Sequence, residues 1–66
     1  MSLREVIKDR RKVLGLTQQD LAEMSGISLP TVKDIERGIA NPSLSTISKL
    51  LEVLGMEIVY RVRQKI

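Results

Sequence analysis

The chain has 66 residues, with no cysteine, histidine, tryptophan or phenylalanine, one tyrosine, and 11 basic against 8 acidic side chains for a net charge of +3. Disulfides, thiolate or imidazole metal sites and a histidine general base are thereby excluded, and no uninterrupted apolar run approaches the ~18 residues of a membrane span. What remains is one small domain with a core of Leu, Ile, Val and Met, which suits packed helices better than an aromatic-rich sandwich.

A chain of this size buries only ~60% of the surface its unfolded form exposes, and such a core rarely supplies more than about 3–5 kcal/mol. Association with a partner subunit is the remaining route to stability. The N-terminus lacks the apolar stretch of a signal peptide, so the expected compartment is the cytoplasm. Charge is unevenly spread: residues 1–14 carry five basic and two acidic groups (+3), residues 15–55 three and five (−2), and residues 56–66 three and one (+2). Positive ends around a mildly acidic middle fit an anionic partner.

Leu3, Val6, Ile7, Val13 and Leu14 recur at i, i+3, i+4, i+10 and i+11 and predict an amphipathic helix over residues 2–14, stopped by Gly15. Arg10 holds the i+7 position of that stripe, with Arg11 beside it. Thr17-Gln18-Gln19-Asp20 has the capping-box pattern that opens a second helix, with Leu16 and Leu21 spaced as a hydrophobic staple and Gly26 as the exit. Ser28 repeats the device as N-cap of a third helix, with Ile27 and Val32 at staple positions. Pro30 is tolerated in that helix's first turn because its missing N–H would be unpaired there anyway. Gly38 closes the third helix.

Asn41-Pro42 breaks the chain, and Ser43 starts a fourth helix whose buried stripe is Leu44, Ile47, Leu50, Leu51 and Leu54, with Gly55 as its stop. The period then changes from helical to alternating. Met56, Ile58, Tyr60 and Val62 alternate with Glu57, Val59, Arg61 and Arg63, a β pattern. A solitary strand leaves its backbone unpaired, and the simplest remedy is an identical strand from a second copy, antiparallel across a two-fold axis. A fifth helix or a frayed tail is the alternative. The expected fold class is therefore mainly α: four helices in residues 1–55, followed by one C-terminal β-strand or tail in residues 56–66 that pairs in a homodimer.

The helices over 18–25 and 28–37, joined by a short turn containing Gly26, have the spacing of a helix-turn-helix, whose second helix can enter the major groove. Ala22 is small where the two helices cross, and Val32 and Ile35 anchor the second helix. The stretch "LTQQDLAEMSGISLPTVKDIERGIANPSLSTISKLLEVLG" resembles the helix-turn-helix family of phage repressors and Cro, also called the xenobiotic-response-element type. The resemblance covers residues 3 to 55. Its marks are Leu16-Thr17-Gln18, Leu21-Ala22, Gly26, Ser28, Val32, Ile35-Glu36-Arg37-Gly38, Asn41-Pro42 and the leucine-rich fourth helix. Residues 56–66 resemble instead the C-terminal strand of HipB-type antitoxins.

The resemblance implies a four-helix repressor-like domain that binds double-stranded DNA, and it implies roles for particular residues. Gln18 corresponds to a phosphate contact, consistent with the affinity of helix N-termini for anions. Arg11 and Glu36 correspond to an ion pair, structural first, with Arg11 as a phosphate contact second. Ser28, Leu29, Pro30, Thr31, Lys33 and Asp34 fall on the base-reading positions. Glutamine, arginine or asparagine is more usual at the first two or three of these, so Leu29 and Pro30 are a departure, and their expected targets are thymine methyls. Arg37 and Asn41 are further phosphate candidates, Asn41 being equally suited to cap its own turn. Arg10 and Lys12, like Arg37, are possible phosphate partners that read first as solvated side chains.

No histidine, cysteine, glycine-rich phosphate loop or carboxylate pair is available for catalysis, so the chain is expected not to be an enzyme and to need no cofactor or metal. The expected function is a dimeric, sequence-specific transcriptional repressor. It is either the antitoxin partner of a toxin protein or a free-standing repressor. A protein-interaction module without specific DNA binding is the alternative from a different class.

Overall fold

The computed structural model describes residues 2–64 and contains four helices in the order α1 (Leu3–Val13), α2 (Gln18–Ser25), α3 (Leu29–Arg37) and α4 (Leu44–Val53). Met1 and the last two positions of the expected strand or tail, Lys65 and Ile66, lie outside the described residues. The local signals act where the sequence puts them. The Asp20 amide donates to Thr17 Oγ1 and the Thr17 amide to Asp20 Oδ2, both at 2.9 Å, closing the capping box of α2. Ser28 and Ser43 cap α3 and α4 through the amides of Thr31 and Thr46. Between α2 and α3 the chain turns at Gly26, whose φ of 74° is open to glycine at little cost.

Ile7, Leu21, Ala22, Val32, Ile35, Leu50, Leu51 and Leu54 form the buried core, with contributions from all four helical segments. Ala22 lies in it where α2 meets its neighbours, and Val32 and Ile35 anchor α3, as the pattern requires. Leu16 and Ile27 pack against its edge as the staples predict.

Four residues of the expected stripes do not join the core, the half-buried Val6 among them. Val13 and Leu14 are 73% and 42% exposed, and Leu44 is 54% exposed. The last turn of α1 meets the domain through polar contacts instead. Arg10 Nε donates to the Leu54 carbonyl oxygen at 2.9 Å, and Arg11 reaches α3. Arg10 is thus half-buried rather than the solvated side chain expected of it. Leu44 is the first residue of α4, one turn short of the packed stretch.

No strand occurs among the described residues, and 56–64 form no regular element, helix included. The reason is inherent in a single chain: a ladder needs a second strand, and the described residues supply none. Of the four residues assigned to one strand face, Ile58 packs against the core, whereas Met56, Tyr60 and Val62 are exposed.

One polar group is buried deep in the fold. The Glu36 side chain is 3% exposed and that of Arg11 is 11% exposed. Arg11 Nε donates to Glu36 Oε2 at 2.7 Å and Nη2 to Oε1 at 2.8 Å, a bidentate pair between α1 and α3. Arg11 Nη1 also holds the Leu16 carbonyl at 2.8 Å. No buried side-chain nitrogen or oxygen among the described residues is left without a partner.

Removing one member of such a pair leaves an uncompensated buried charge, typically at a cost of about 3–5 kcal/mol, comparable to the whole stability of a domain this small. Glu36→Ala is therefore expected to be largely unfolded in urea titrations near room temperature, while the double change Arg11→Met with Glu36→Leu recovers most of the loss. A double variant no more stable than Glu36→Ala would contradict this account.

The capping box adds a pH dependence. Hydrogen bonds from the Thr17 amide and then its hydroxyl hold the Asp20 carboxyl below its ordinary value of 3.8. A carboxyl depressed on folding stabilises the fold above its unfolded pKa and loses that contribution as pH falls through the folded one. Asp20→Asn should lower the urea midpoint at neutral pH, and the gap to the parent should close on acidification. A gap that widens towards acid would reverse the sign of the argument.

Candidate nucleic-acid interface

The helix-turn-helix unit has two surfaces suited to nucleic acid: the N-terminus of α2 and the outer face of α3. Val32, Ile35 and Glu36 point inward at i, i+3 and i+4. Pro30, Lys33 and Arg37, at i, i+3 and i+7, are exposed. At nine residues α3 is ~13 Å long, and the B-DNA major groove, ~12 Å wide, admits a helix.

Taken one by one, the six residues assigned to base reading sit in different situations. Ser28 and Thr31 are engaged with each other: the Ser28 hydroxyl donates to Thr31 Oγ1 at 2.8 Å while accepting from the Thr31 amide at 3.4 Å. Leu29 is half-buried and packs against the core, whereas Pro30 beside it is exposed. Lys33 is exposed and forms no hydrogen bond or ion pair among the described residues. Asp34 accepts from Arg37 Nη2 at 2.6 Å, an i,i+3 pair on the surface of the same helix. The apolar pair Leu29-Pro30 is thus divided between core edge and surface.

The phosphate candidates are also distributed. Gln18 is the first residue of α2, half-buried, and its Nε2 donates to Glu36 Oε1 at 3.3 Å. It therefore belongs to the Arg11–Glu36 network while standing at a helix N-terminus whose dipole favours anions. The Glu36 carboxylate raises the pKa of Arg11 above its ordinary value by accepting hydrogen bonds from the guanidinium, against the opposing effect of burial. Arg11 is therefore a permanent cation behind the α2 N-terminus. Asn41 is exposed in the loop between α3 and α4.

Sequence reasoning missed Arg4. Its aliphatic Cδ lies 2.8 Å from where a Cβ at Gly38 would stand, so this side chain lies directly against Gly38, whose φ of 77° is what calls for glycine. Arg4 thereby lies against the exit of α3. The available signal was its spacing, since Arg4 and Arg11 are seven residues apart and share one flank of α1. Arg4, Lys8 and Lys12 line a shallow depression on that flank together with Glu5, Asp9 and Glu36. The described residues contain no His, Cys, Asp or Glu cluster able to hold a metal ion, and no helix long and apolar enough to cross a membrane. What the surface offers is a lysine ammonium, hydroxyls, a guanidinium–carboxylate pair and a small apolar patch, on a helix of the right size for a groove.

Comparison with known proteins agrees with this geometry. The family model for the helix-turn-helix matches residues 7–61. A Methanothermobacter thermautotrophicus protein named as an uncharacterized HTH-type transcriptional regulator is 40% identical over 55 residues, 83% of this chain and 80% of that protein. A Haemophilus influenzae protein of the same description is 42% identical over 53 residues, 80% of this chain and 53% of its own length. The immunity repressor protein of Bacillus phage phi105 is 41% identical over 58 residues, 88% of this chain. The chain spans about half the Haemophilus protein and 40% of the phage repressor. With the family match extending over most of its length, the chain belongs to the helix-turn-helix family of DNA-binding transcriptional regulators.

Proposed function

We propose that the chain represses transcription as a symmetric dimer, each copy placing α3 in the major groove of one half of a pseudo-palindromic operator. The observation that carries this reading is the outer face of α3, where Pro30, Lys33 and Arg37 stand exposed while the opposite face is locked into the core. Lys33 is the principal direct reader, donating to guanine O6 or N7, and Pro30 with the exposed edge of Leu29 contacts thymine methyls. Asp34 accepts from cytosine N4. Ser28 and Thr31 reach base edges only by exchanging the hydrogen bond they make to each other. Gln18, with Arg11 behind it, meets the phosphate at the α2 N-terminus, and Arg37 and Asn41 meet phosphates on the other side of the helix.

Dimerisation is supported by the tail. Tyr60 and Val62 are 77% and 90% exposed in a segment of alternating pattern, and the tail flanks a groove of about 450 Å³ lined by Leu44, Ser48, Leu51, Met56, Ile58 and Tyr60. Pairing of two tails would satisfy both their backbones and their apolar face. The two recognition helices would then meet grooves about 34–36 Å apart.

Selection of bound sequences from random duplex DNA tests the function directly. A paired, inverted half-site is expected, and its affinity should fall with salt by a slope of about −0.9 per phosphate neutralised. Lys33→Ala should lose about 1–3 kcal/mol of discrimination at one base position, whereas Gln18→Ala should weaken all sequences alike. Unchanged selectivity in both Lys33→Ala and Asp34→Ala would favour a protein-interaction module.

Tyr60→Asp combined with Val62→Asp should yield a folded monomer in sedimentation, with operator affinity reduced by at least about tenfold. A parent protein that is itself monomeric would transfer the apolar strip to a different partner, such as a toxin.

A further inference from the structure

Arg10 has no part in the core or in the candidate interface, yet it is half-buried and makes a hydrogen bond that spans 44 positions of the sequence. Its acceptor, the Leu54 carbonyl, belongs to the C-cap of α4, where the tail begins. That point is saturated with interactions. The Gly55 amide donates to the Glu52 carbonyl at 3.2 Å and the Met56 amide to the Leu51 carbonyl at 2.8 Å, the paired bonds of a Schellman closure. Together with Arg10 these fill three of the four carbonyls that a helix end leaves unpaired. The Arg10 guanidinium also complements the negative end of the α4 dipole. Gly55 makes the left-handed turn at φ 71°, with Arg10 Nη2 3.6 Å from where its Cβ would stand. Three residues later Ile58 packs against the core. The chain is therefore fixed to the domain at Leu54 and again at Ile58, and every described residue from Val59 onward is exposed.

The neighbour of Arg10 holds the reader. Arg11 grips Glu36 of α3 by two hydrogen bonds, so consecutive arginines in the last turn of α1 tie α3 and the root of the tail to the same helix. We propose that Arg10 is a positioning residue that sets the separation and angle of the two recognition helices in the dimer, and thus the half-site spacing the protein accepts. The proposal rests on the dimer reading above. With a flexible root, two domains would adapt to several spacings; with a root clamped by Arg10, they accept one. One added base pair rotates the second half-site by about 34–36° as well as displacing it, and a clamped dimer cannot follow.

The test has one arm without a variant. Parent protein is titrated against operators whose half-sites are moved apart or together by single base pairs, with its dimeric state established by sedimentation. Affinity should fall by about tenfold or more for a one-base-pair change. Arg10→Met, which keeps the apolar stem and removes the donor, forms the second arm through selection from random duplex DNA. The same half-site sequence should emerge, spread over two or more spacings, with the one-base-pair penalty reduced to about two- to threefold. Arg10→Lys, retaining charge without the planar Nε donor, should fall between, and it replaces the methionine variant if that variant fails to fold. A dimeric parent that tolerates altered spacing within about twofold overturns the proposal, as does a folded Arg10 variant that keeps the parent's single sharp spacing. A parent that selects unpaired half-sites overturns the dimer reading itself.

Discussion

The domain's geometry depends on the ion pair between Arg11 and Glu36. Both carboxylate oxygens are occupied, Oε2 by Arg11 Nε and Oε1 by Arg11 Nη2 and Gln18 Nε2. A buried pair of this kind adds little net stability, because the desolvation of two charges offsets most of their attraction. Its effect is on orientation. α3 is nine residues long and is anchored by few apolar side chains, chiefly Val32 and Ile35. A helix so lightly held could roll about its axis on a leucine-rich floor at small cost. Rolling would strip Glu36 of its partners and leave a carboxylate in the core, and that penalty fixes which residues of α3 face outward.

The same pair organises the other contact surfaces. Gln18 reaches Glu36 from the first turn of α2, so the helix N-terminus suited to a phosphate and the helix suited to a groove share one hydrogen-bonded centre. The Leu16 carbonyl, held by Arg11 Nη1, fixes the chain just before the Thr17 cap. α1 is consequently more than a lid on the core. Through Arg11 it sets the recognition helix, through Arg4 it covers that helix's exit at Gly38, and through Arg10 it grips the end of α4. Five of the chain's basic side chains lie on this one helix, and three of them make specific contacts with other parts of the domain.

How much of this could be read from the sequence depended on the range of each interaction. The capping signals at Thr17, Ser28 and Ser43 act over three residues and needed no tertiary knowledge. The pairing of Arg11 with Glu36 came from resemblance, since nothing in composition or periodicity links positions 25 residues apart. Arg10 was illegible for a related reason: an arginine within an apolar stripe looks the same whether its head group is in water or on a distant carbonyl. Val13, Leu14 and Leu44 fit the helical period but not the core, because periodicity specifies a face and says nothing about where the neighbouring element ends. Residues 56–64 pose a different problem. Alternation records a disposition to pair, and a strand exists only when its partner is present.

Few polar side chains are available to α3 as readers, and on the proposed reading two of them are committed to its own first turn. The Ser28 and Thr31 hydroxyls satisfy each other and the cap. Asp34 and Arg37 also hold each other, but on an exposed surface, where such a pair contributes at most about 1 kcal/mol. A phosphate competing for the guanidinium can therefore displace the carboxylate at little cost. Once displaced, Asp34 is an unpaired anion near DNA, which is unfavourable unless a donor such as cytosine N4 hydrogen-bonds to it. On the proposed reading the two events are coupled, with Arg37 turning to the backbone only where the sequence gives Asp34 a partner. A pair that looks like a minor surface salt bridge in the free protein would then act as a conditional reader, rejecting half-sites by leaving a carboxylate without a donor.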